Sequence, residues 1–320
     1  MIEVKNLTRT FGPKVAVNDV SFSVGTGEVL GFLGPNGAGK STTMRMITGF
    51  FPPTSGTIRV GGHDVVDEPI QAKRFMGYLP ENAPSYTDMT VWQFLQFTAE
   101  LRGMQGATRR QAVERVVETC FLSGVVHQSV DTLSKGYRHR LCFAQSIIHD
   151  PQVLIMDEPT DGLDPNQKHE VRNLIRRMGE KKAIIFSTHI LEEVEAVCTK
   201  AIIIDRGRIV ASGTPAELKA RADGAGVLSL RVTGAEVEAV RQKLEAIVGV
   251  KRAAVVTGNG SQAHFRVYPK DRGAGAGIAG AVADLALQER WRVEEMHAEE
   301  GRLDEVFRGI TMPDTRSTTV

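Results

Sequence analysis

Residues 34–42 read GPNGAGKST, directly after EVLGFLG (28–34), an apolar run of strand length. The pattern demands a strand, a tight turn and a helix. Gly34, Gly37 and Gly39, with Pro35, Asn36 and Ala38 between them, let the backbone bend until successive N–H groups converge on one point. Such a nest takes phosphate oxygens. Lys40 then reaches the β- and γ-phosphates of a nucleotide, the following helix offers the positive end of its dipole, the Ser41 hydroxyl ligates Mg²⁺, and Thr42 completes the pattern. The bland alternative is a glycine-rich turn with an exposed lysine. The strand, the full spacing and the helix together argue for the phosphate cradle.

Outward from this loop, VLIMDEPTDGLD (153–164) places Asp157 and Glu158 at the end of an apolar strand. There Asp157 holds Mg²⁺, commonly through water, and one further residue turns Glu158 toward the γ-phosphate, where it orients or deprotonates an attacking water. An acidic pair at a strand end is common by itself; beside a phosphate loop it has a task. AIIFSTH (183–189) ends a third strand with His189, expected at the same sheet edge and in reach of the γ-phosphate.

The strands EVLGFLG, VLIMDE, AIIFSTH and AIIID (201–205) are continuously apolar, which suits a parallel sheet covered on both faces. IEVKNLTRTF (2–11) and VAVNDVSFSV (15–24) alternate better and read as antiparallel strands beside it. Residues 89–149 are mostly helical, with apolar spacings of three and four in TVWQFLQFTAELRG and RRQAVERVVETCFLSG. The expected fold is α/β over residues 1–220: a parallel core sheet, an antiparallel β subdomain and a helical subdomain at about 89–149. RADGAGV (221–227) is a small-residue hinge. Beyond it a β-α-β-β-α-β order over 227–310 predicts a small α+β ferredoxin-like domain. The tail 311–320 is expected to be loose.

Composition narrows the classes. The chain of 320 residues is 42% hydrophobic and 24% charged, with a net charge of +1, so no global field favours nucleic acid or an anionic membrane. Cys120, Cys142 and Cys198 lack C-x-x-C spacing and read as small apolar residues in a reducing compartment. The start, MIEVKNLTRTFG, shows no signal peptide, and the apolar runs fall far short of the about 20 residues a membrane helix needs. A membrane role must come through a partner.

With GPNGAGKST, TLSKGYRHRL (132–141), VLIMDEPTDGLD and STH in this order, the chain resembles the ATP-binding subunits of ABC transporters over roughly residues 1–220. The resemblance implies the P-loop NTPase, ABC-type ATPase fold. Gly34–Thr42 match the Walker A motif, Val153–Asp157 match Walker B, Glu158 matches the catalytic glutamate, His189 the switch histidine, and 161–164 the D-loop. It also implies that LSKGY (133–137) is the signature segment, usually LSGGQ, whose Ser134 and Gly136 bind the nucleotide held by the opposing protomer. Phe11 lies where the family places an aromatic that stacks on adenine; a strand-end core phenylalanine is the other reading. Glu81 stands where the family usually has a Mg²⁺-binding glutamine, and contact with the membrane partner competes for that loop. Lys135, Tyr137 and Asp161 are further departures, and Lys135 is either a positive charge near phosphate or a solvated one.

YLPEN (78–82), LSKGY, DEPTDGLDPNQ (157–167) and the ending LDEVFRGIT (303–311) resemble the ABC-2-type exporter branch, including its gliding-motility-associated and copper-processing types. That implies ATP and Mg²⁺ as cofactors, a homodimer or a heterodimer with a paralogous ATPase, and a separate transmembrane permease. The protein would then be cytoplasmic and peripheral on the inner face of the cell membrane, with no nucleic-acid partner. A non-transport ABC ATPase of DNA repair, chromosome organisation or translation is the rival; the chain lacks the coiled-coil heptads or second phosphate loop usual there.

Overall fold

The computed structural model describes residues 1–81, 85–222, 224–259, 262–270 and 275–311. The chain divides into two compact units, Met1–Ser212 and Gly213–Val320.

The first unit opens with strands β1 (Ile2–Phe11), β2 (Lys14–Val24) and β3 (Val29–Leu33), then helix α1 (Lys40–Ile47). Strands β4 (Ser55–Val60) and β5 (His63–Asp64), helix α2 (Pro69–Arg74) and strand β6 (Met76–Leu79) follow. Three helices come next: α3 (Val91–Leu101), α4 (Gly106–Thr119) and α5 (Lys135–Ile147). The remainder alternates: β7 (Val153–Asp157), α6 (Pro165–Gly179), β8 (Ala183–Thr188), α7 (Leu191–Val197), β9 (Lys200–Asp205) and β10 (Arg208–Gly213).

The core sheet has the order β10-β9-β3-β8-β7-β6, and every pairing from β9 to β6 is parallel. Its strands alternate between two hydrophobic cores, because successive side chains of a strand point to opposite faces. Leu30, Phe32, Val153, Ile155, Ile185 and Ile204 face a core shared with the antiparallel sheet β2-β1-β4-β5 and with Met44, Met46 and Ile47 of α1. Leu154, Met156, Ile184 and Phe186 face a second core closed by α3, α4, α5 and α6. Two-sided burial is what the continuous apolar runs predicted. The short strands β4 to β6 did not stand out in the sequence, since β4 turns only Ile58 and Val60 inward and draws its definition from long-range pairing with β1.

Local chemistry sets the helix starts. Thr90 and Gln93 form a reciprocal capping box at α3. Ser134 caps α5, and Asp164 with Pro165 opens α6.

The second unit begins with α8 (Pro215–Lys219) and runs β11 (Leu228–Thr233), α9 (Val237–Glu245), β12 (Val250–Asn259), β13 (Gln262–Pro269), α10 (Gly275–Gln288) and β14 (Arg292–Ala298), closing with α11 (Leu303–Thr311). The strand order β12-β13-β11-β14 with antiparallel pairing is the ferredoxin-like arrangement. Leu228, Leu230, Phe265 and Val267 project from one face of this sheet onto Val240, Leu244, Ile278 and Val282 of the two helices. Residues 312–320, on which most of the expected loose tail falls, lie outside the described residues.

Phe265 is fully buried at the centre of this small core. Phe265→Ala is expected to destabilise the second unit by about 3–5 kcal/mol. Denaturant titration of the variant against the parent chain checks it.

Candidate functional site

The core sheet delivers four strand ends to one edge. After β3 the chain turns sharply into α1, and the turn leaves no room for a side chain at Gly34 or Gly39. A Cβ at Gly34 would lie 2.4 Å from the Ile204 carbonyl oxygen, and one at Gly39 would lie 2.6 Å from that of Ala16. Gly39, with φ +109°, caps α1 in a conformation other residues avoid. The Lys40 side chain curls back over the loop and donates to the carbonyl oxygens of Gly34, at 2.7 Å, and Pro35, at 3.4 Å. The sequence-predicted residues Pro35, Asn36, Gly37, Gly39, Lys40, Ser41 and Thr42 border a cleft of about 340 Å³ with Phe11, Lys14, Ala16, Glu81 and Glu158. Gly34 and Ala38 are buried beneath it.

Strands β7 and β8 set the acidic side of the cleft. Their parallel register pairs Asp157 with Ser187. The Ser187 hydroxyl donates to Asp157 Oδ1 at 2.5 Å and accepts from the Glu158 N–H at 3.0 Å. Ser41 Oγ donates to the same Oδ1 at 3.1 Å, tying the phosphate loop to the acidic strand. Glu158 has φ +51°, a left-handed conformation that costs a non-glycine residue about 1–2 kcal/mol. That bend breaks the strand alternation and turns its carboxylate into the cleft. Its Oε1 lies 3.8 Å from Lys40 Nζ and its Oε2 lies 3.0 Å from His189 Nδ1. Lys40, Glu158 and His189 are therefore one contiguous chain of groups.

Burial disfavours charge on both members of the central pair. It lowers the Lys40 pKa, against the pull of Glu158, Asp157 and Glu81, and raises that of Glu158, against His189 and Lys40. Asp157 is fully buried, and its Oδ2 has no hydrogen-bond partner among the described residues. An orphaned carboxylate oxygen beside a serine hydroxyl is a hard-oxygen donor set, which fits Mg²⁺ shared with nucleotide phosphates. Among the described residues no cluster of three or more His, Cys, Asp or Glu forms a self-sufficient metal cage.

Phe11 is 45% exposed at the cleft rim, so it is no core residue. The Arg9 guanidinium lies 4.6 Å from its ring centroid, and the Phe51 ring meets it edge-on at 5.7 Å. Glu81, exposed after β6, also lines the cleft; residues 82–84 of its loop lie outside the described residues. Ser134 and Gly136 do not line this cleft. Ser134 Oγ accepts from the Tyr137 N–H at 3.3 Å, and Gly136 is overlaid by Gln167, whose Oε1 would meet a Cβ at 2.5 Å. Two departures from the family pattern pair with each other: Lys135 Nζ lies 3.3 Å from Asp161 Oδ2, both side chains being more than half exposed.

Sequence reasoning missed Ser187, whose only signal was its place opposite Asp157 at a strand end. It also missed Lys14 and Ala16, which reach the cleft from β2. A larger hollow, about 580 Å³, lies around Trp92, Gln96 and Arg109 on α3 and α4, away from any glycine loop or acidic strand end.

The family model described as ABC transporter matches residues 17–161. The linearmycin resistance ATP-binding protein LnrL of Bacillus subtilis (strain 168) is 35% identical over 235 residues, 73% of this chain and 76% of that protein. The Nod factor export ATP-binding protein I of Ralstonia nicotianae (strain ATCC BAA-1114 / GMI1000) is 37% identical over 245 residues, 76% of each. A solved ATP-binding subunit of an ABC transporter is 30% identical with a TM-score of 0.64, covering 68% of this chain and 92% of its own.

The loop geometry carries a direct consequence. Gly39→Ala places a methyl against the Ala16 carbonyl and forces a left-handed residue, so nucleotide affinity should fall at least about tenfold, 1.4 kcal/mol or more. Titration with a fluorescent ATP analogue measures it.

Proposed function

The chain belongs to the ABC transporter ATP-binding family, and from that premise we propose that it is the ATPase subunit of an ABC-2-type exporter, dimerising around two ATP molecules to drive a separate transmembrane subunit. ATP binding and hydrolysis and an exporter-type relationship come with the family and its relatives. The finer reading rests chiefly on one observation. The phosphate loop and Glu158 line one cleft, Asp157 and His189 contact Ser41 and Glu158 in its wall, and Ser134 and Gly136 make no such contact with it. A second copy offering its own signature segment would complete the site.

In this reading the N–H groups of residues 34–42 and the Lys40 ammonium hold the β- and γ-phosphates, and the adenine stacks on Phe11. Ser41, Asp157 and Glu81 would hold Mg²⁺, which when bound offsets charge on the β- and γ-phosphate oxygens. Glu158 accepts the proton of a water whose oxygen bonds to the γ-phosphorus as the bond to the β–γ bridging oxygen breaks, giving ADP and phosphate. Burial raises the basicity of Glu158 while His189 and Lys40 temper that rise. His189 orients Glu158 and reaches toward the γ-phosphate. From the opposing protomer, Ser134, the Gly136 backbone and the start of α5 cap that phosphate, so ATP itself is the interfacial contact.

Export is supported by YLPEN, LSKGY, DEPTDGLDPNQ and LDEVFRGIT, and by relatives named for linearmycin resistance and Nod factor export. No helix of the described residues is long and apolar enough to cross a membrane. We place the protein on the inner face of the cell membrane through a permease partner, which the helical segment 89–149 and the loop from Glu81 to Tyr86 would contact. Residues 1–220 would form the ATP-binding domain and 227–310 the appended one.

Glu158→Gln should bind ATP and accumulate as a dimer, with turnover reduced at least about a thousandfold if proton acceptance by Glu158 is essential. Size-exclusion chromatography with light scattering and a phosphate-release assay measure both; wild-type turnover overturns the assignment of the base. Gly136→Asp should retain ATP binding and lose hydrolysis. Turnover equal to the parent would remove the signature segment from the mechanism.

A further inference from the structure

Glu193 lies in the first turn of α7, yet it is only 1% exposed. A carboxylate without water is costly unless hydrogen-bonded. Its partners are specific. Oε1 accepts from the Thr160 hydroxyl, Oε2 accepts from the Thr188 hydroxyl at 2.8 Å, and the Arg172 guanidinium stands 3.7 Å away. Thr160 and Thr188 are themselves buried. Packing alone does not demand this arrangement, since three apolar side chains would fill the same space without desolvating an acid.

The placement of the two threonines gives the arrangement a purpose. Thr160 follows Glu158 by two residues on the chain leaving β7, and Thr188 immediately precedes His189 at the end of β8. Strand pairing holds the two chains together as far as Asp157 and Ser187, with one more bond from the Glu158 N–H to the Ser187 carbonyl. Past that point the chains diverge, and one carboxylate grips both. The Thr188 hydroxyl also accepts from the Ile190 N–H at 3.0 Å, so the residues on each side of His189 share one anchor.

We propose that Glu193 is a positioning residue for ATP hydrolysis: through Thr160 and Thr188 it clamps the chains that carry Glu158 and His189, and so maintains the contact between them. This rests on the reading of Glu158 and His189 given above. The polar partners of Glu193 are Thr160, Thr188 and Arg172, none of them in the phosphate loop, so the clamp should act on turnover and leave substrate binding alone.

The test uses the full-length chain and steady-state ATP hydrolysis. Thr188→Val removes one arm of the clamp at nearly constant volume, and Thr188→Ser keeps its hydroxyl. Thr188→Val should lower kcat about tenfold with KM for ATP within about twofold, and Thr188→Ser should stay within about threefold of the parent. Thr160→Val removes the other arm and carries the same expectation if Thr188→Val does not fold. The double variant should lose less than the product of the single effects, since both act through one carboxylate. Unchanged kcat in the valine variants, equal losses for valine and serine at 188, or a raised KM at constant kcat overturns the clamp. Glu158→Gln, assayed alongside, reports on the base alone: if it turns over normally while Thr188→Val is impaired, the assignment of the base fails and the clamp stands.

Discussion

The parallel register between β7 and β8, which sets Asp157 beside Ser187, is the constraint on which the rest of the site depends. A slip of β7 by one residue would reverse its faces, moving Leu154 and Met156 into the core that Ile155 occupies and turning Asp157 away from Ser41. The register is therefore held by hydrophobic patterning over the whole strand. The polar contacts at its end inherit that accuracy. Because β3 lies on the other side of β8, the phosphate loop arrives at the same edge, and α1 is locked there by Met44, Met46 and Ile47. The candidate site residues at this edge thus follow strands that are among the most buried parts of the chain.

At that edge the buried Lys40 and the half-buried Glu158, groups of opposite charge, face one another. Taking Lys40 and Glu158 out of water separately would favour neutral forms of each, as the opposed directions of their pKa displacements record. Their mutual attraction across 3.8 Å offsets part of that cost, and His189 contributes on the far side of Glu158. Such a pair is poised. On the proposed reading, phosphate oxygens arriving beside Lys40 would draw on the same positive charge that steadies Glu158, which would couple nucleotide binding to the basicity of Glu158.

Much of this was legible in the sequence because it is written locally. The phosphate loop, the acidic strand end and His189 each occupy a short stretch with a fixed neighbour pattern, and the two-sided sheet followed from unbroken apolar runs. In the second unit VLSLRVT (227–233) alternates and AHFRVYP (263–269) reads as a strand, and Leu228, Leu230, Phe265 and Val267 from them are packed in its core. Other features have no local signature. Ser187 and Thr160 are small hydroxyl residues in strings full of stronger signals, and their partners lie 30 and 33 positions away. Glu193 reads as one more acid on an acidic helix, since its burial depends on how α7 packs and not on its neighbours in sequence. Strands β4 to β6 are short; pairing with distant segments defines β4 and β6, and β5 is an edge strand beside β4.

The signature segment shows how a sequence departure becomes intelligible only in three dimensions. Lys135 and Asp161 each put a charge where the family usually has none, and read separately each looks like a liability near phosphate. In the fold they pair across the first turn of α5 and the turn before α6, with Lys135 lying over Gly162 and Gln167 over Gly136. The pair is exposed, so its contribution to the stability of one chain is about 0–1 kcal/mol. Its consequence is geometric. Arg140 and Glu170 continue the same line of contact one turn further on, 2.5 Å apart. The start of α5 is thereby tied to the segment that follows Glu158 in sequence, and the Glu193 clamp ties that segment to the chain carrying His189. A path of side-chain contacts thus runs from the start of α5, through residues 160–161, to the chain that ends at His189.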